Sequence, residues 1–174
     1  VFTVIGIILA AVFVAMVISI LLSIFIWNPL EVGCQKFFIN CKYGNAELGD
    51  IAYGFKNGYA HIGMIMFLRG LFTGLWMLLF IIPGIVKSYE YMMIPYLLAE
   101  HPEMTRQEAF AESKQMMDGN KWDAFVLDLS FIGWTLLGVC TFGILLVFYV
   151  EPYIYLTRAE LYHALKNYNK PVEF

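Results

Sequence analysis

The opening run limits most severely how this chain can fold. From Phe2 to Trp27 the only polar side chains besides the Trp27 indole are Thr3, Ser19 and Ser23, and none is ionisable. About 20 consecutive apolar residues cross a bilayer as a helix. In lipid the backbone must satisfy its own hydrogen bonds, which a helix does within one segment. The run therefore predicts a transmembrane helix with Trp27 as its interfacial anchor. It is too long for the apolar core of a secretory signal and ends in no small-residue cleavage site. Because the chain begins at Val1, a further helix is expected upstream.

Two more apolar stretches follow. Tyr59–Ile82 is broken by Arg69, and the turn dipeptide Pro83-Gly84 is expected to reverse the chain. Ile85–Ala99 then returns over about 22 Å, short for a full span. Trp122–Thr157 would be about 54 Å long as one helix, too long for a single crossing. The residues Gly138-Val139-Cys140-Thr141-Phe142-Gly143 divide it into Trp122–Leu137 and Ile144–Tyr162, the second kinked by Pro152. The expected fold is all-α: a polytopic membrane bundle forming one domain over residues 1–174. Its spans are placed at about 2–27, 59–82, 84–100, 122–137 and 144–162, five in this chain and about six in the intact protein. Composition agrees, since 60% of residues are hydrophobic and only 14% charged, whereas soluble domains carry about a quarter charged.

Amphipathic helices are expected between the spans. Asn28-Pro29-Leu30-Glu31 reads as a helix start, with Asn as N-cap and Pro at the first position, opening an elbow helix near the membrane surface. Ala46–Asn57, capped by Asn45 and stopped by Gly58, places Leu48, Ile51, Ala52 and Phe55 on one face. Thr105-Arg106-Gln107-Glu108 fits a capping box, and the helix it opens carries Ala109, Phe110, Met116 and Met117 before Gly119 stops it. The tail from Lys166 to Phe174 is expected to be polar and mobile.

Net charge is −3, which gives no reason to expect a nucleic-acid partner. The placement of charge is more informative. Lys36, Lys42 and Lys56 fall in the first polar connection, Arg106, Lys114 and Lys121 in the second, and Arg158, Lys166 and Lys170 in the tail. The two apolar turns carry no charge. The positive-inside rule then makes the connections and the C-terminus cytoplasmic and the turns external. Both hairpins start on the same side, as in a parallel repeat. Cys34, Cys41 and Cys140 lack metal-site spacing, and Cys140 falls on the opposite side from the other two, so no shared disulfide is expected.

Five charged residues stand out inside the expected spans: Arg69, Lys87, Glu90, Asp128 and Glu151. Such groups are expensive in lipid and pair, snorkel or mark a functional site. Counted by helix rise from the cytoplasmic ends, Arg69 lies about 12–15 Å in and Asp128 about 9 Å in, which suits an ion pair between hairpins. Counted from the external turns, Lys87, Glu90 and Glu151 lie about 4, 9 and 12 Å in, which suits a second cluster. Lys87 and Glu90 are also spaced to neutralise each other. Glu151, Tyr155, Arg158 and Tyr162 share one helix face, a candidate polar stripe. Catalytic and phosphate-binding motifs are missing, His61, His101 and His163 are scattered near helix ends, and no cofactor or enzymatic activity is expected.

Several stretches together resemble an uncharacterised bacterial integral membrane family, a domain of unknown function found mainly in Firmicutes. They are Leu75-Trp76-x3-Phe80-Ile81-Ile82-Pro83-Gly84-Ile85-Val86-Lys87-Ser88-Tyr89, Pro95-Tyr96-Leu97-Leu98-Ala99-Glu100-x-Pro102, Glu108-Ala109-x3-Ser113, Leu127-Asp128-Leu129-Ser130-Phe131-Ile132-Gly133-Trp134, Pro152-Tyr153 and the Asn28-Pro29-Leu30-x-Val32-Gly33 elbow. That family is distantly similar to the membrane portion fused to some glycerophosphodiester phosphodiesterases. The resemblance implies a multi-helix bundle in a bacterial cell membrane and supplies no catalytic residues. Two functional readings are open: non-enzymatic handling or transport of a lipid or small solute through the polar cluster, or a structural subunit that positions another membrane protein. Membrane lipids are the expected partners under the first, and another membrane protein under the second.

Overall fold

The computed structural model describes residues 2–141 and 143–168. Its helices are α1 (Phe2–Leu22), α2 (Asn28–Lys42), α3 (Tyr53–Lys56), α4 (Tyr59–Leu79), α5 (Ile81–Glu90), α6 (Ile94–Glu100), α7 (Arg106–Met116), α8 (Lys121–Cys140) and α9 (Glu151–Tyr168). No strand occurs among the described residues, so the all-α expectation holds. Three stretches are long and apolar enough to cross a membrane: Ile5–Lys42, Tyr59–Leu79 and Lys121–Cys140. Five were expected, and the difference lies in the two return arms.

The first return arm, expected over 84–100, is two short helices with a break at Tyr91–Met93. Pro95 explains the break. It has no N–H to give the Tyr91 carbonyl, and its ring would collide with that carbonyl in a continuous helix. The second, expected over 144–162, is helical from Ile144 to Tyr168. Glu151, Arg158 and Glu160 fall within it, so only its first half is apolar.

The expected elbow at Asn28-Pro29 is absent. α1 and α2 form one continuous helix, and Asn28 has helical torsions of −63° and −49° rather than those of an N-cap. A π-helical turn at Ser23–Trp27 makes this possible: the Asn28 N–H reaches back five residues to the Ser23 carbonyl. Pro29 leaves the Phe25 carbonyl without its usual partner, and the Tyr59 hydroxyl donates to it at 2.7 Å. The same device recurs at Leu146–Val150, where the Glu151 N–H reaches back five residues to the Leu146 carbonyl, just before Pro152. π-turns absorb an extra residue without ending a helix, so both prolines are carried with little interruption.

The core sits at one end of the bundle, around α6. Ile94, Leu98 and Ala99 are fully buried, and Pro95, Tyr96 and Leu97 nearly so. Val32 and Ile39 of α2, Ile62, Ile65 and Met66 of α4, Ala109 and Met116 of α7, and Tyr162 and Leu165 of α9 complete the cluster. α2 is thus a core helix and not a surface elbow. The segment after it, expected as one helix over 46–57, is a 3-10 turn at Leu48–Ala52 followed by α3, with Glu47 and Asp50 forming its cap. It lies directly on α2: a Cβ on Gly33 would stand 1.9 Å from the Ile51 carbonyl oxygen, and one on Gly54 2.2 Å from that of Pro29. Only glycine permits those contacts.

From this head the apolar arms project with their side chains exposed. No residue in the apolar window of α1 is buried, and Leu71–Ile82 of the α4–α5 hairpin, Leu129–Val139 of α8 and Ile144–Phe148 present further large apolar surface. That distribution is inverted for water and suits lipid. The first hairpin reverses at Phe80, whose torsions are extended, and Pro83-Gly84 lies inside the first turn of α5. A missing N–H is harmless there, and Gly84 lets α5 sit against Met77 of α4. The second reversal falls at Thr141–Gly143; Phe142, within it, lies outside the described residues. The capping box at Thr105 forms as expected, the Thr105 N–H donating to Glu108 Oε2 at 2.8 Å. Lys166 belongs to α9 and not to a loose tail, while 169–174 lie outside the described residues.

Candidate functional site

Where head and arms meet, charged side chains from six helices form a band. Its first part joins α2 to α4: Arg69 donates to Glu31 Oε1 at 2.9 Å. Its second joins α8 to α9 and α5: Arg158 donates to Asp128 Oδ1 at 2.9 Å, and the Tyr89 hydroxyl donates to Asp128 Oδ2 at 3.0 Å. The expected Arg69–Asp128 pair therefore does not form. Each residue has a different partner, and α5, which packs against both α4 and α8, stands between the two first arms.

The third part surrounds Glu90. This carboxylate is 2% exposed and ends α5. A helix C-terminus disfavours negative charge, and burial disfavours it further, so the site needs cations. Lys87 supplies the nearest, at 2.7 Å. Lys114 from α7 and Lys121 from α8 approach to 3.7 and 3.9 Å. Lys87 also lies over the Trp76 and Tyr91 rings, 5.7 and 5.6 Å from their centroids. The structure thus brings Lys87 and Glu90 together but leaves Glu151 out of the cluster. Glu151 is exposed at the start of α9, and among the described residues no cation lies within 4.0 Å of it.

Apart from the exposed Glu151, the candidate stripe on the last helix meets three different neighbours. Tyr155 stacks on Phe38 of α2 with centroids 5.2 Å apart, Arg158 pairs with α8, and the Tyr162 hydroxyl donates to Glu100 of α6. Lys166 joins Tyr162 on Glu100. Burial pushes the Glu100 carboxyl up, but the hydrogen bonds from Lys166 and Tyr162 outweigh it and hold Glu100 below the ordinary carboxylate range. Burial and the nearby Lys42 charge lower His163.

Glu31, Tyr89, Lys114 and Lys121 were not singled out in the sequence as site residues, and neither were two buried polar residues. Ser113 is fully buried on α7. Its hydroxyl donates to the Glu90 carbonyl at 2.8 Å and accepts from the Met93 N–H at 3.3 Å, closing the break between α5 and α6. Its signal was a polar residue on the apolar side of an amphipathic helix, four residues after Ala109. Tyr96 is the other. Its buried hydroxyl has no partner among the described residues, and neither has the buried Arg158 Nε.

Beside Glu90 lies an apolar groove of ≈ 410 Å³ between α5 and α8. Ile82, Ile85, Val86 and Tyr89 line one wall and Trp122 and Phe125 the other, with Lys121 at its charged end. Among the described residues no three His, Cys, Asp or Glu side chains are placed to hold a metal ion. The histidines serve structure. His61 Nε2–H donates to the Met104 carbonyl at 2.7 Å, His101 faces Glu103, and His163 packs edge-on against Tyr43. Chemically, the arrangement offers a greasy slot with a cationic rim.

No curated protein and no solved structure matches the chain. A family model covers it almost from end to end, over residues 3–169, and the chain therefore belongs to the family described as "Protein of unknown function (DUF975)".

Proposed function

We propose that this is a non-enzymatic membrane protein that handles lipid at the α5–α8 groove. The observation that carries the reading is the groove itself, wholly apolar along its walls and ending at a lysine. A solute carrier would need a polar passage, whereas the charged groups nearby are tied to one another, across helices at Arg69–Glu31 and Arg158–Asp128 and within α5 at Lys87–Glu90. In this reading five segments are embedded in the cell membrane: α1, both arms of the α4–α5 hairpin, α8, and the apolar start of the helix that continues into α9. The head and the C-terminus face the cytoplasm. Measured by helix rise, the arms extend about 15 Å from Arg69 to Leu79 and about 18 Å from Asp128 to Cys140. With the charged band at the level of the cytoplasmic headgroups, where lysines and aromatic residues are favoured, arms of this length reach about halfway through a hydrocarbon core of ~30 Å.

The test is reconstitution in liposomes carrying a fluorescent phospholipid, with exchange between leaflets or to acceptor vesicles followed over time. The wild type is expected to raise the rate above protein-free vesicles, and Val86→Trp, which fills the groove, to abolish the increase. Equal rates for wild type and empty vesicles, with no lipid retained through purification, contradict the reading. A second reading is favoured by α1, which no other helix of the described chain covers. As a structural subunit, the protein would use that face against another membrane protein, and mild-detergent cross-linking from Phe13 would capture it.

A further inference from the structure

We propose that Lys114 and Lys121 hold the phosphate of an anionic phospholipid whose acyl chain lies in the α5–α8 groove. This rests on the lipid-handling reading and adds the headgroup class. The argument begins with a charge imbalance. One buried carboxylate, Glu90, faces three ammonium groups. Lys87, at hydrogen-bonding distance, is enough to neutralise it. Lys114 and Lys121 stand beyond hydrogen-bonding distance and keep contact with solvent, their side chains 66% and 29% exposed. Among the described residues no other carboxylate lies within 4.0 Å of either; Asp118 and Asp123, their neighbours in sequence, do not pair with them. Lys42, Arg69, Arg158 and Lys166 each have a carboxylate in direct contact.

Two cations left in surplus around a satisfied carboxylate form a site for an anion. Its location selects the kind. Lys121 is both a member of the lysine group and a wall of the groove, so one ligand with a charged end and an apolar tail meets both. Trp122, exposed beside it, has the amphipathic ring that sits at headgroup level. A free anion would use the lysines and leave the groove idle, and a neutral lipid would do the reverse. Charge and shape together fit an anionic phospholipid, with Lys114, the most exposed of the three, free to swing onto the phosphate.

The experiment is native mass spectrometry of the purified protein equilibrated with equal phosphatidylglycerol and phosphatidylcholine. Wild type, Lys114→Gln/Lys121→Gln and Val86→Trp are compared, each first shown to be monodisperse and helical. Each basic residue near an anionic surface adds a modest increment, so wild type is expected to prefer phosphatidylglycerol about thirtyfold from two of them. The double lysine variant should keep its lipid adducts and lose the preference. Val86→Trp should lose adducts of both lipids, and glycerol phosphate in excess should leave the wild-type adducts in place. An unchanged preference in the double variant overturns the proposal, as does displacement of the lipid by glycerol phosphate. Wild type without adducts of either lipid would overturn the lipid-handling reading as well, whereas adducts without headgroup preference would overturn only this proposal.

Discussion

Asp128 and Glu90 lie either side of Tyr89, and the fold treats them in opposite ways. Asp128 receives one guanidinium and one hydroxyl, a donor for each oxygen. Glu90 is more deeply buried and receives one close lysine and two distant ones. The first arrangement is closed: it ties α5, α8 and α9 together and leaves little capacity for anything else. The second is open, with positive charge left over at the edge of a groove. Location in the chain explains the difference. Asp128 and Arg158 both belong to long helices whose positions the bundle dictates. Lys114 and Lys121 flank the loop between α7 and α8, so their ammonium groups reach the band from the water side.

The largest expected effect comes from breaking the closed arrangement. Asp128→Ala leaves Arg158 half-buried without its carboxylate and should lower unfolding stability by about 2–3 kcal/mol, toward the low end for a broken buried pair. The paired Asp128→Leu/Arg158→Met should recover part of that loss, while Lys114→Gln should change stability by less than about 0.5 kcal/mol, as for exposed charges. Denaturant titration in detergent, read by far-ultraviolet circular dichroism, checks all three. If Lys114→Gln were as damaging as Asp128→Ala, the two sites would not differ in kind.

A smaller effect comes from pH and probes the head below the band. The folded state holds Glu100 below its ordinary pKa through Lys166 and Tyr162. Its contribution is therefore complete above the unfolded carboxylate range and is lost as pH falls through the lowered folded value. His163 acts in the same direction, since its folded value is depressed and protonation at falling pH favours the unfolded chain. The melting temperature should fall on acidification, more shallowly in Glu100→Gln, with the band's lysines playing no part. An identical acid slope in Glu100→Gln would remove the head from this contrast.

Much of the fold was legible in the residues. The long apolar opening run, the two hairpins and the Thr105 capping box follow from hydropathy and local hydrogen bonding alone, and all are present. The errors cluster at prolines. Asn28-Pro29 carries every local mark of a helix start, yet a π-turn and the hydroxyl of Tyr59, 30 residues away, let the helix run on. Pro83-Gly84 has the composition of a turn, yet Phe80 takes the reversal and leaves Pro83 where a proline is harmless. Pro95 lies within the expected span 84–100, yet it separates two short helices and leaves the second of them in the head. At Pro29 a distant hydroxyl decided what the local pattern could not. The site follows the same rule. Lys87 and Glu90 pair at the spacing that announced them, whereas Lys114 and Lys121 join them only because α7 folds back on the α5–α6 break through Ser113. Glu151, singled out for its depth in an assumed span, turned out exposed once the helix carried Pro152 through a π-turn.

The most direct measurement is the position of phospholipid phosphate in a structure of the protein in a nanodisc rich in phosphatidylglycerol. A phosphate within hydrogen-bonding distance of both Lys114 and Lys121, with its acyl chain between Val86 and Phe125, is the predicted result. An empty groove, or a phosphate seated instead on Arg158 and displacing Asp128, would contradict the division between a closed and an open charge site.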